Sequence, residues 1–316
     1  MATREVKIEE LRPGDTTINF AVRKVLVFAQ PGVRTKFTFT PGTERYVTVK
    51  QGNDFMADEL HGMADLLSGS PRFELMETLQ SPVSPDDDTY NWAEIDTICR
   101  SAGVDACLVL CRQDADITLG KYLEYDNFGE EYYATGKILV TGTWKLYDLV
   151  DRLIIGKKVI AGTNFYGSLV YDPNQAIFNL PDFNRMTTDY ATVAGEQFAK
   201  WIAPYWEESD RYYYTSGNKE MTNALPLADS GKWNEILDVW RKYALNDHTV
   251  VAKHAAYNCI LAYEMVGKLD SALYMANQTY QRFKLEEAND YATHLEDRIR
   301  EKNVVAQQLG IKDSLP

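Results

Sequence analysis

A seven-residue pattern, Gly231-Lys-Trp-Asn-Glu-Ile-Leu237, recurs 36 residues later as Gly267-Lys-Leu-Asp-Ser-Ala-Leu273, with the Gly-Lys start and the closing Leu in common. That offset is close to the ~34-residue period of two-helix repeats. A unit of this kind cannot bury its apolar face alone. The repeat therefore dictates stacked helical hairpins with a last helix to cover the end of the stack. Each copy opens on a glycine, which reaches a left-handed turn without a Cβ penalty. The stretch Glu286–Asn303 suits the closing helix. Met221–Ala228 suits the first helix of the first copy, against the resistance of Pro226.

The repeat occupies only the end of a 316-residue chain, more than one core usually serves. Ahead of it the apolar spacing changes. Residues 1–20 read as an arm. Val22–Ala29 is an apolar strand, and Val33–Thr40 and Arg45–Lys50 flank a Pro-Gly turn as a hairpin. Met56, Leu60, Met63 and Leu67 mark one face of a helix over Asn53–Leu67. Arg72–Leu79 reads as a strand, and Asn91 with Glu94 caps a helix running to Ala102. Ala106–Cys111 is wholly apolar, as in a strand covered on both faces. From Asp114 to Leu169 the period is two, which predicts three antiparallel strands. Past Pro173 the strand signals stop: Thr188–Ala203 reads as a helix, Arg211-Tyr-Tyr-Tyr214 as a connector, and helices follow. The fold class is α+β, with a mixed α/β sheet domain at 21–175 and a helical domain at 176–316.

Charge and hydropathy exclude several functions. A net charge of −13 and a pI near 4.9 repel phosphate backbones and anionic bilayer faces, so nucleic acid is not an expected partner. No segment approaches the ~18 apolar residues of a membrane span. The first ten residues are polar, so the chain is read as cytoplasmic or as lacking a leader already removed.

Reaction motifs are absent from the sequence: it has no phosphate-binding glycine loop, no zinc-protease His pair and no nucleophile elbow. No cofactor, metal or catalytic residue is expected, and the protein is read as a non-enzyme. Cys99, Cys107, Cys111 and Cys259 read as free buried thiols. Cys107 and Cys111 would lie ~13 Å apart along a strand, too far for a disulfide. Asp58, His61 and Asp65 fall on one helix face, and Asp290 and His294 are an i, i+4 pair; both sets read as solvated. Asp86-Asp87-Asp88 lacks the spacing of a calcium loop. The densest aromatic cluster is Trp201, Trp206, Tyr212, Tyr213 and Tyr214, a candidate binding surface or a packing seam.

Ala256–Tyr280 resembles one tetratricopeptide repeat. That likeness gives packing places to Tyr257, Asn258, Ala262 and Tyr263, the turn to Gly267, and close helix approach to Ala272, with Gly231 and Trp233 in the first copy. Ile236 stands where Ala272 stands, a departure that implies a splayed first pair. The layout also resembles a domain-of-unknown-function family of Gram-negative cell-envelope lipoproteins. The residues that carry this are Val22–Ala29, Trp144-Lys-Leu-Tyr147, Arg211-Tyr-Tyr-Tyr214, and Gly231-Lys-Trp233 with Trp240, Ala256-Tyr-Asn258 and Gly267. The N-terminal part is more loosely similar to curli-secretion and penicillin-binding-protein-activator lipoproteins. The resemblance implies a lipid-anchored, periplasm-facing protein, and none of the four cysteines sits where the lipid would attach. It carries over no activity.

The expected function is a protein-interaction or assembly module of the cell envelope with a protein or peptide partner. The alternatives are a peptide- or glycan-binding protein using the Tyr/Trp-rich region, a carboxylate hydrolase, and a cytoplasmic adaptor.

Overall fold

The computed structural model describes residues 2–31, 33–39, 54–80, 89–126, 129–167 and 170–311. In chain order these form β1 (Thr3–Arg12), β2 (Lys24–Ala29), β3 (Thr35–Phe39), α1 (Asp54–Gly69), β4 (Glu74–Gln80), α2 (Trp92–Ala102), β5 (Ala106–Asp126), β6 (Gly129–Asp148) and β7 (Leu153–Tyr166). They continue with α3 (Pro173–Phe178), α4 (Phe183–Ile202), β8 (Tyr205–Tyr214), α5 (Lys219–Asp229), α6 (Trp233–Arg241), α7 (Val250–Met265), α8 (Leu269–Phe283) and α9 (Glu286–Gln308). The fold is α+β. It divides into a sheet unit (14–205 with 308–310) and a helical unit (1–13, 206–307 and 311–316).

The division differs from a cut at 175. The stretch read as an arm contains β1, and the stretch read as a connector ends β8; the two strands pair within the helical unit. Strand signals therefore do not stop at Pro173. In both strands the inward positions include charges, such as Glu10 and Arg211, so apolar alternation does not reveal them.

In the sheet unit the strand order is β4-β2-β5-β6-β7, with β3 also on β5. β2, β3 and β4 lie in parallel pairings, while β5, β6 and β7 form antiparallel ones. Val25, Val27, Leu108, Leu110 and Trp144 face α1 and α4, whereas Leu26, Phe28, Cys107 and Val109 face α2. The apolar run at the start of β5 is thus buried on both faces, as its composition requires. Asn91 and Glu94 form the expected capping box on α2. Of the hairpin expected over 33–50, β3 is described and pairs in parallel with β5; residues 40–53 and the acidic loop at 81–88 lie outside the described residues.

α4 belongs to this unit because its backbone meets α1 at two glycines. A Cβ on Gly62 would stand 2.2 Å from the Thr192 carbonyl oxygen, and one on Gly195 would stand 2.0 Å from that of Glu59. Under this crossing the Glu59 side chain is fully buried. Its carboxyl accepts from Trp144 Nε1 at 2.7 Å and from Gln113 Nε2 at 2.6 Å. A Cβ on Gly142 would occupy the carboxyl's place, 1.6 Å from Oε1.

The helical unit holds two helical hairpins and a long final helix. Gly231 and Gly267 adopt φ of 72° and 75°, the left-handed turns their place in the repeat demands. After each glycine the next amide bonds back, Lys232 to Leu227 and Lys268 to Tyr263. Tyr257, Ala262 and Ala272 are buried where α7 and α8 pack, and Tyr263 is partly buried beside them. Trp233 and Ile236 fill the equivalent core in the first hairpin. α5 runs through Pro226.

Candidate binding pocket over a buried charge network

β1 and β8 turn Glu10 and Arg211 into the helical unit, with side-chain exposures of 1% and 11%. α7 contributes Glu264, and α9 contributes Tyr291, His294 and Arg298. A buried carboxylate costs several kcal/mol unless its charge and lone pairs are met. Here they are met repeatedly. Arg211 bonds Glu10 and also reaches Glu264, Nε to Oε2, at 3.2 Å. Arg298 pairs with Glu264 and stands 3.7 Å from Glu10. The Tyr291 hydroxyl donates to Glu264. Arg12 extends the network, 3.1 Å from Glu10, 3.0 Å from Glu207 and 2.6 Å from Glu301.

Burial alone would raise the Glu10 carboxyl. The His294 hydrogen bond and the charges of Arg298 and Arg211 outweigh it and hold the group below its ordinary value. Arg211 and Arg298 match Glu10 and Glu264, and Arg12 faces Glu207 and Glu301, so four carboxylates against three guanidiniums leave one negative charge at the Arg12 end of the network. His294 Nε2 lies 3.1 Å from Glu10 Oε1 and also contacts Arg211.

Glu10, Glu264 and His294 bring one ligand atom each within 4.8 Å of one another, a spacing that suits a metal ion. The surroundings do not. Arg211 and Arg298 already neutralise both carboxylates, and a metal cation there would face two guanidiniums. The cluster is a structural charge network and the floor of a cavity.

That cavity, of about 230 Å³, is lined by Asp210, Arg211, Tyr212, Tyr257, Glu287, Asp290, Tyr291 and His294. Tyr212 stacks on Tyr257 with centroids 5.1 Å apart, and Tyr257 meets Tyr291 edge-on at 5.8 Å. Burial pushes the Tyr257 and Tyr291 hydroxyls far above the ordinary tyrosine range, so they stay neutral. Asp210, Glu287 and Asp290 are exposed at the rim. The cavity thus sets tyrosine rings beside a rim of negative charge, with its one guanidinium tied down by two glutamates and lying over the Tyr291 ring.

The structure distributes the five aromatic residues singled out in the sequence. Tyr212 lines the cavity. Tyr213 packs against Trp233 and Trp240 in the core, and Tyr214 stacks on His254 at 4.1 Å. Trp206 is 54% exposed on β8, and Trp201, in the sheet unit, packs against Phe198 under Lys157. Among the repeat positions, Asn258 is buried and bonds the backbone of Tyr214. Asp290 is exposed on the rim, while His294, read as solvated with it, is half-buried on the cavity floor. Sequence reasoning missed Glu10, Arg211, Glu264, Tyr291 and Arg298. One signal was present: Glu264 follows Ala256-Tyr-Asn-Cys-Ile-Leu-Ala-Tyr263, an otherwise nearly apolar helix, and a carboxylate in such a run needs an inward partner.

No curated protein matches the chain. Among solved structures, a neuraminyllactose-binding hemagglutinin homolog from Helicobacter pylori aligns at TM-score 0.28 and 9% identity, over 58% of this chain and 82% of that one. The hypothetical protein CT253 from Chlamydia trachomatis aligns at TM-score 0.24 and 10% identity, over 55% and 97%. The model of a second domain of unknown function, DUF6340, matches residues 222–297, which include Tyr257, Glu287, Asp290, Tyr291 and His294. The family described as Domain of unknown function (DUF8603) matches residues 38–214, more than half of the sequence, and the chain belongs to it.

Proposed function

We propose that this chain is a non-catalytic interaction module whose helical unit grips a protein or peptide partner by a basic side chain. One observation carries the reading: a single cavity is lined by the rings of Tyr212, Tyr257 and Tyr291 and by the carboxylates of Asp210, Glu287 and Asp290. A cation over an aromatic face gains ~0.5–1 kcal/mol when exposed and about 2 when desolvated. A carboxylate at the rim adds a charge-assisted hydrogen bond. An anionic ligand would meet three negative charges on entering. Arg211 offers it little, being committed to Glu10 and Glu264.

Size narrows the choice. About 230 Å³ falls below the ~300–1,000 Å³ of drug-sized ligand sites and suits one long side chain. The net charge of −13 steers cationic partners toward the molecule. Attachment to the cell envelope through a lipid belongs to the same proposal, and the family resemblance of the sequence supports it.

Panning a displayed random heptapeptide library on the full chain tests the reading. Enriched peptides should share a Lys or Arg anchor, and N-acetyl-lysine amide should compete. Asp290→Asn should weaken binding about 5-fold, the worth of ~1 kcal/mol. Enrichment of acidic or purely apolar peptides, or affinity unchanged in both Asp290→Asn and Glu287→Gln, would overturn it. Binding of glycans in place of peptides would favour the small-ligand alternative.

A further inference from the structure

Cys99 lies in the last turn of α2 and Cys107 at the start of β5, and their sulfurs approach to 3.0 Å. Non-bonded sulfurs rest ~3.6 Å apart, and a disulfide closes at about 2.05 Å. The pair is therefore already nearer than ordinary contact and about 1 Å from a bond. From this we infer that Cys99 and Cys107 are a disulfide site, which a thiol–disulfide oxidant such as oxidised glutathione converts to a cross-link between helix and strand.

The short segment between them is held in place. Gly103 takes the left-handed cap conformation with φ of 68°, and its amide and that of Val104 both bond the Cys99 carbonyl oxygen. Asp105 accepts the amides of Arg23 and Lys24 and donates its own to Lys24, fixing the entry to β5 on β2. Around the sulfurs stand Leu26, Phe28, Ile95, Ile98, Val104 and Val109. Such a wall disfavours thiolate. The hydrogen bond shared with Cys99, with burial, pushes the Cys107 thiol far above its ordinary value. A neutral disulfide suits this apolar site, and burial then shields it from reductants.

The same burial sets when the bond forms. Cys99 and Cys107 are 1% and 0% exposed, so the oxidant reaches them during folding or a local opening. The thiolate of one cysteine attacks a sulfur of the oxidant disulfide, forming a mixed disulfide and releasing one thiolate. The thiolate of the second cysteine then attacks the protein sulfur of that mixed disulfide and releases the other. Two protein thiols are oxidised, one oxidant disulfide is reduced to two thiols, and the two protons pass to those leaving thiols. Cys111 and Cys259 have no place in this exchange. Cys111 is half-buried on the β5 bulge, and Cys259 lies inside α7 of the helical unit.

The test is to refold the full chain from urea with oxidised and reduced glutathione, alkylate it in denaturant with iodoacetamide, and weigh it. A parallel sample exported to an oxidising compartment serves as a check that does not depend on refolding. The expected product carries two alkyl groups in place of four, and its digest yields a Cys99–Cys107 peptide. Cys259→Ser should keep the link, and Cys99→Ser should abolish it. Four alkyl groups at every glutathione ratio and in the exported sample, or a link through Cys111 or Cys259, would overturn the inference.

Discussion

Asn258 holds the backbone of Tyr214 by both of its peptide atoms: Oδ1 accepts the amide at 2.7 Å, and Nδ2 donates to the carbonyl oxygen at 2.8 Å. A fully buried α7 side chain thereby does for β8 what a neighbouring strand would do. The contact satisfies two backbone groups that have no water to turn to. Asn258→Ala should destabilise the protein by ~2–4 kcal/mol, the cost of two buried unpaired polar groups. Asn258→Asp should cost at least as much, because it sets a carboxylate against the Tyr214 carbonyl oxygen. Urea unfolding checks both; a loss under ~1 kcal/mol for Asn258→Ala would show that water replaces the clamp.

Glu59 predicts a pH dependence of opposite sign to acid denaturation. Burial drives its carboxyl up to about 7, and the hydrogen bonds from Gln113 and Trp144 only partly offset this. The folded state then binds more protons than the unfolded one between about 4.5 and 7. Stability from this group is full below 4.5 and falls as pH rises through 7, by ~1.4 kcal/mol per unit at most. Unfolding midpoints measured between pH 5 and 8 should decline for the wild type. They should decline less for Glu59→Gln, whatever its absolute stability.

The sequence displays some of these relationships and hides others for a physical reason. Gly231 and Gly267 were legible because a left-handed turn leaves a mark in one residue type. The capping box of Asn91 and Glu94 was legible because it is local. β1 and β8 were not, because their inward faces carry Glu10, Arg12, Glu207 and Arg211, and these charges are tolerated through one another and through partners on α7 and α9. The cavity was hidden likewise. Tyr212 and Tyr291 lie 79 positions apart, and nothing local marks Tyr212 as the wall of a site and Tyr213 as core.

Close approach of backbones makes a third prediction. Gly62 and Gly195 let α1 and α4 touch where an added methyl would overlap the Thr192 or Glu59 carbonyl oxygen, at 2.2 and 2.0 Å. Backbone cannot swing aside as a side chain does, so the helices must separate. Gly195→Ala should cost ~1–3 kcal/mol, where the same change on a free helix face would gain stability. A helical substitution that destabilises in thermal unfolding confirms the contact; a stabilised Gly195→Ala protein would contradict it.

The charge network under the cavity makes the last prediction. Arg211→Met leaves Glu10 and Glu264 with one guanidinium fewer in a site nearly closed to water, and should cost ~3–5 kcal/mol. Arg211→Met combined with Glu264→Met removes a charge of each sign and should restore part of that loss, since an apolar pair costs less than an orphaned carboxylate. The pH profile separates charge from packing. Glu10 titrates below its ordinary 4.5 in the folded state, so its contribution is present above 4.5 and is lost as pH falls through the folded value. Wild-type stability should drop on that acid limb. Arg211→Met should flatten it, because the Arg211 charge is one of those that hold Glu10 down. An acid limb unchanged in Arg211→Met would mean that Arg12, Arg298 and His294 stabilise the Glu10 carboxylate without help from β8.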